Sequence, residues 1–239
     1  PYVDLMGAPQ AVRDAGLDAV IGMYPAVHRL RTTVVAPWTA HLLGDAAVRP
    51  PHRVLVHGAE GCGVTFIAER LVDELTSVAG VDAVLIPTLD EMVERDPHEL
   101  AAILGANEAS DAVLIVVSHR PWTIPAELFG DGGFERMAFV SPPDWDARRF
   151  RIWESSWGRA LPAADLDRLV IATEGWSGPD ITSLGELSVA SVDELIAAVP
   201  TIVPGTVDWL ARSREMIRAL GSYGRLDDLA GYLQRYRLL

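Results

Sequence analysis

Lysine is absent from this chain: its basic residues number 20 and all are arginine, against 33 acidic ones. Any site that needs a flexible ammonium group must therefore do without one. Cysteine occurs once, at Cys62, which excludes an internal disulfide and a cysteine-based zinc site, and fits a reducing cytosol. The six histidines include no i, i+4 pair of the kind that holds zinc on a helix. We find no run of ~20 apolar residues that would span a bilayer and nothing resembling a signal peptide. The net charge of −13 argues against non-specific binding to nucleic acid or to anionic membranes. A cytoplasmic protein is expected, without nucleic-acid or membrane partners. Its 239 residues, 49% of them hydrophobic, suffice for one large domain or for a core with a small lid.

Hydrophobic patterning predicts an α/β core over residues 1–142, with a helical lead-in, and an α-helical lid over 143–239. Residues 17–45 read as helix and turn, punctuated by Arg49-Pro50-Pro51. Short apolar runs predict strands at 54–57, 83–87, 112–117 and 137–140. The unbroken run at 112–117 suits a parallel strand buried on both faces. A helix over 66–75 would bury Phe66, Ile67, Leu71, Val72 and Leu75, and another begins near Leu89. Beyond Ser141-Pro142-Pro143 the pattern is helical, with turns at 175–179 and at Pro204-Gly205.

Residues 58–65 read Gly-Ala-Glu-Gly-Cys-Gly-Val-Thr. This is the phosphate-binding pattern G-x-x-x-x-G-K-[ST] with its lysine replaced by Val64. In the intact motif, backbone N–H groups of the turn cradle phosphate oxygens at a helix N-terminus. The lysine reaches the β- and γ-phosphates, and the Ser/Thr hydroxyl holds Mg²⁺. The strand–loop–helix context that the motif requires is present. Gly58, Gly61, Gly63 and Thr65 remain, whereas the charge is gone and Glu60 adds an anion.

Several segments, in order along nearly the whole chain, resemble the AAA ATPase family of P-loop NTPases. Val20-Ile21-Gly22-Met23 lies where that family has its adenine-side segment. Residues 49–58 resemble the lead into its Walker A loop, residues 114–121 its sensor-1 strand, and 173–181, TEGWSGPDI, its sensor-2 segment. Residues 209–232 resemble the C-terminal helices of some bacterial members. The resemblance implies a parallel sheet flanked by helices with a small helical lid. It also implies a nucleotide site drawn from Ile21, Gly58, Gly61, Cys62, Gly63, Val64, Thr65, Phe66, Gly178 and Asp180.

Set against that family, parts are missing. Val64 replaces the Walker A lysine, His119 the sensor-1 asparagine, and residues 130–136 keep only Arg136 of the arginine-finger segment. Ile21 replaces a glycine and would crowd adenine. The core looks one strand–helix unit short. Asp90-Glu91 is the one Walker B candidate, but Pro87 disfavours a central strand there. We read that pair instead as the solvated first turn of a helix. An unpaired phosphate charge at an effective dielectric near 20 forfeits ~4 kcal/mol per close pair, and loss of an arginine finger alone slows phosphoryl transfer by about 10³–10⁵.

The expected protein is thus an AAA-fold pseudo-ATPase with no catalytic residues and no bound metal. It would act as an interaction or regulatory subunit, in a homo-oligomer or beside an active AAA subunit. The alternative is a switch that holds ATP or ADP weakly. A repurposed small-molecule site is a further reading, because His57, Cys62 and His119 should meet at the sheet's carboxyl edge. Of the seven tryptophans, five (Trp145, Trp153, Trp157, Trp176 and Trp209) fall in the lid region, with Trp153 and Trp157 expected to share a helix face. Arg148, Arg149 and Arg151 are expected on a solvated or inter-subunit face, and Asp227-Asp228 as solubilising charge.

Overall fold

The computed structural model describes residues 16–107, 111–187, 191–220 and 226–238. Four parallel strands form its sheet: β1 (Arg53–Gly58), β2 (Ala83–Ile86), β3 (Val113–Ser118) and β4 (Arg136–Val140), in the spatial order β2-β3-β1-β4. All four predicted strands are present, each within a residue or two of its expected limits. Parallel pairing demands covered faces, and the apolar runs of β1 and β3 are buried at every position. Pro87 falls just beyond β2, where no ladder donor is needed.

Helices cover both faces. α1 (Tyr24–Leu30) and α2 (Ala36–Leu42) are joined through one wider turn at Arg31–Val35. α3 (Val64–Glu74) leaves the glycine-rich loop, and α4 (Leu89–Arg95) and α5 (Pro97–Asn107) link β2 to β3. The first cluster of buried side chains joins these elements around the sheet.

A second cluster, from Ile152 to Val199, is the core of the lid. It is built by α6 (Trp145–Glu154), α7 (Ala163–Ala172), α8 (Gly178–Ser183) and α9 (Val192–Ala198). Trp176 is buried there, with Trp145, Trp153 and Trp157 packed against it. Trp153 and Trp157 do not share a helix face, because α6 ends at Glu154. The last helices, α10 (Thr206–Leu220) and α11 (Asp227–Arg235), instead pack on the sheet's own cluster. Trp209 belongs with them. Its ring stacks on Phe139 at 5.6 Å, and its indole N–H donates to the His119 carbonyl at 2.6 Å. The segment Val192–Leu220 has the length and apolarity of a membrane span by composition alone, a stretch the sequence reading passed over. It folds as α9, a tight turn at Val199–Thr201, and α10.

Two charge assignments are corrected by the packing. Arg148 is buried, not on a solvated face: its Nε donates to the Val170 carbonyl (3.1 Å) and its Nη1 to the Pro143 carbonyl (2.6 Å). Val170 lies in the last turn of α7, whose carbonyls lack intrahelical partners, so the guanidinium caps that helix. Arg149 pairs with Asp167, and Arg151 is exposed. Asp227 and Asp228 are not idle charge either. Asp227 pairs with Arg29 at 2.7 Å, while Asp228 accepts the Phe139 N–H at 2.7 Å and lies 3.3 Å from Arg29 Nε.

Candidate functional site

The glycine-rich turn follows directly from β1, at the carboxyl edge of the sheet. Gly58 sits so tightly under β4 that a Cβ there would lie 2.3 Å from the Val140 carbonyl oxygen. Gly61 and Gly63 adopt φ of 76° and 84°, the left-handed region that glycine enters without strain. A Cβ on Gly63 would meet nothing within 4 Å, so the loop opens to solvent there. Glu60 and Gly63 are exposed and Thr65 is half-buried in the first turn of α3. Gly63 is the residue before α3 and offers no side-chain cap. Backbone N–H groups and the helix dipole are thus available to an anion.

The position of the missing lysine is occupied differently. Val64 is 1% exposed and packs into the sheet's hydrophobic cluster. Phe66, expected in the core, is 45% exposed, with the Arg70 guanidinium 5.4 Å from its ring centroid. Fixing φ > 0 at Gly63 sets the helix phase, which turns Val64, Ile67, Ala68 and Leu71 inward and leaves Phe66 outward.

The lid docks on this loop. The Gly178 N–H donates to the Gly61 carbonyl at 3.0 Å, and a Cβ on Gly61 would press on Pro179 Cδ at 2.5 Å. Ser177 and Asp180 form a capping box that starts α8, and the Asp180 carboxylate also accepts the Gly205 N–H at 3.3 Å. Thr206 Oγ1 donates to the Gly175 carbonyl at 2.5 Å, fastening α10 to the same turn. Arg151 Nε lies 3.8 Å from where a Gly178 Cβ would stand. On the other side, Ile21 is half-buried, and its neighbour Gly22 presses on the start of α6. A Cβ on Gly22 would lie 2.2 Å from Asp144 Oδ1. The loop, Gly178 and Asp180 therefore lie together, with the residue 20–23 segment beside the start of α6.

Asp90 is the residue that sequence reasoning misplaced. It is 5% exposed, not solvated, and its carboxylate accepts from Ser118 Oγ (2.6 Å), the His119 N–H (2.7 Å) and the Arg120 N–H (3.2 Å). β2 pairs with β3, so the turn after β2 emerges beside the end of β3. Three of the carboxylate's roughly four acceptor positions are used in holding that end. Glu91 is exposed. The signal was present as an acidic pair one turn beyond an apolar strand, but only the pairing of β2 with β3 says what it meets.

His57, Cys62 and His119 lie at the same edge, yet no hydrogen bond joins any two of them among the described residues. His57 is fully buried against Phe139, at 5.8 Å between ring centroids, and neither ring nitrogen has a partner. Burial, with Arg29 nearby adding to it, pushes its pKa down to about 3, so the ring is neutral. The buried Cys62 thiol is pushed up to about 12 by desolvation and by Asp180. His119 Nδ1 lies 3.3 Å from the Gly58 carbonyl. A nucleophilic cysteine needs a depressed pKa, and the Cys62 thiol is shifted the opposite way. No group of three or more potential metal ligands occurs among the described residues.

The residues fit MgATP only in part. Loop backbone and Thr65 suit phosphate and a metal-bound hydroxyl, but Val64 supplies no cation and Asp90 is buried and engaged by three protein donors. No protein-family model matches the chain. It is 26% identical over 200 residues to the cell division cycle protein 48 homolog of Archaeoglobus fulgidus, a match covering 63% of this chain and 27% of that protein. It is 24% identical over 209 residues to the proteasome-activating nucleotidase of Pyrococcus furiosus, covering 68% of this chain and 53% of that one. The chain thus spans about a quarter to a half of the length of these curated relatives. Among solved structures, the FIGL-1 AAA domain superposes with a TM-score of 0.62 at 17% identity, covering 95% of this chain and 91% of that one. A chain of the E. coli MS115-1 HORMA:CdnC:Trip13 complex gives 0.60 at 15% identity, covering 77% and 90%. The fold is that of an AAA domain, and in sequence the chain is similar to AAA ATPases.

Proposed function

We propose that this protein is an AAA-fold pseudo-ATPase that serves as an interaction or regulatory subunit. The observation that carries the reading is Val64. In a chain without lysine, the position that should reach the triphosphate bears an aliphatic side chain buried in the core. Phosphoryl transfer depends on placed charge more than on covalent chemistry. Here the Walker lysine and sensor asparagine are replaced, and Asp90 is buried and held by three protein donors. The partners are proteins, either further copies of this chain or an active AAA subunit. Two similar structures support such a role in general, one a HORMA:CdnC:Trip13 complex and the other described as a basis for katanin self-assembly. Purified protein should release phosphate from ATP at the background rate, and turnover well above background, abolished by Thr65→Ala, would overturn the proposal.

A second reading is a switch that binds ATP or ADP without turnover. It is favoured by the positive-φ backbone at Gly61 and Gly63, which is open at Gly63. Millimolar nucleotide with Mg²⁺ should then raise the melting temperature by the linkage relation. Calorimetry without heat and an unmoved melting temperature would remove this reading.

A further inference from the structure

The two edges of the sheet are treated differently. Among the described residues β4 pairs only with β1, and the backbone groups on its outer side are met by side chains. Arg29 Nε donates to the Met137 carbonyl at 2.6 Å, and Asp228 accepts the Phe139 N–H at 2.7 Å. Together with the Arg29–Asp228 contact at 3.3 Å, this gives the edge one donor and one acceptor in place of a fifth strand. A protected edge of this kind does not recruit another chain.

β2 has no such cover among the described residues. The Val113 N–H donates to the Asp82 carbonyl at 2.8 Å, and Ala83 is paired with Val113. Backbone groups alternate in direction along a strand, so the N–H and C=O of Ala83 and Leu85 point away from the sheet. The strand is apolar, Ala-Val-Leu-Ile, but nowhere fully buried, and Val84 is 52% exposed. β1 and β3, of similar composition, are buried throughout. The surroundings are acidic: Asp82 and Asp111 are exposed at one end and Glu91 at the other, while Arg120 nearby is held by Glu94 at 2.5 Å and Arg95 lies at the far end of α4.

We propose that the outer edge of β2 takes up an extended segment of a partner protein as a fifth strand. That segment is apolar along the pairing and flanked by lysine or arginine. Backbone hydrogen bonds supply the affinity and the acidic flanks select the partner's charge. A second copy is the disfavoured occupant, because each chain carries a net charge of −13 and would bring its own acidic flanks. The inference goes beyond the pseudo-ATPase reading and stands or falls without nucleotide.

The test uses the whole protein and three fluorescent peptides of alternating valine and threonine: one with two lysines at each end, one with glutamates there, and one with lysines and a central proline. The lysine peptide should bind, at least about tenfold more weakly in high than in low salt, and should slow amide exchange at Ala83 and Leu85. The glutamate and proline peptides should bind at least about tenfold more weakly. Ala83→Pro, whose lost N–H faces outward, should weaken the lysine peptide similarly with the fold retained. Equal binding of all three peptides, no binding, amides already protected in the free protein, or a β2-dependent dimer would each overturn the proposal. Failure here would leave the ATPase result untouched.

Discussion

Acid should loosen this fold through one residue. In the folded protein His57 is fully buried, both ring nitrogens lack partners, and its pKa is held near 3. In the unfolded chain the same ring titrates near its ordinary value of about 6.5. The folded pKa is the lower one, so between those values the unfolded state binds more protons. Stability therefore falls as the pH drops through that window. At about 1.4 kcal/mol per unit, roughly 2 kcal/mol is lost between pH 7 and pH 5, and about 4 kcal/mol by pH 3. Asp228, which contacts Arg29 and whose pKa is raised by burial, changes stability in the opposite sense at the acid end. The comparison is therefore with His57→Leu, which keeps the volume and removes the proton site. Urea unfolding at pH 7, 6 and 5 should show the wild type losing about 2 kcal/mol more than the variant. At pH 7 the variant should be neutral or more stable, since a buried imidazole without partners costs about 1–3 kcal/mol. If His57→Leu lost as much stability between pH 7 and pH 5 as the wild type, the argument from burial would be refuted.

Four further outcomes follow from packing. Asp90→Ala should cost about 3 kcal/mol, because three donors at the end of β3 lose their acceptor, and hydrogen exchange should quicken at His119 and Arg120. Gly22→Ala should destabilise far more than Gly80→Ala in thermal melts. Both glycines have positive φ, but only Gly22 would drive a Cβ into Asp144, whereas Gly80 faces open space. Arg148→Met should cost roughly 2 kcal/mol through the uncapped end of α7, and should expose Trp176 to a fluorescence quencher before the sheet unfolds. Cys62, buried and pushed up to about 12, should resist iodoacetamide at pH 8 in the native protein and react at once in denaturant.

Much of this was readable from residue order. Apolar runs bounded by proline and glycine located all four strands, because parallel strands must be apolar on both faces. The glycine spacing and Val64 marked an anion-type loop without its cation, since φ > 0 and charge are properties of residue type. The same local reading went wrong wherever a side chain's partner lay far along the chain. Asp90 looked like a solvated helix start, yet it is buried because β2 lies beside β3, 28 residues from Ser118 in sequence. Arg148 and Asp228 looked like surface charge, but one closes α7 and the other meets the edge of β4. Trp209 falls in the expected lid region by residue order, yet it packs with α10 on the sheet. Periodicity and motif spacing report which groups must be buried or bent. Whether a particular charge has a partner depends on which segments are neighbours, and only tertiary structure decides that.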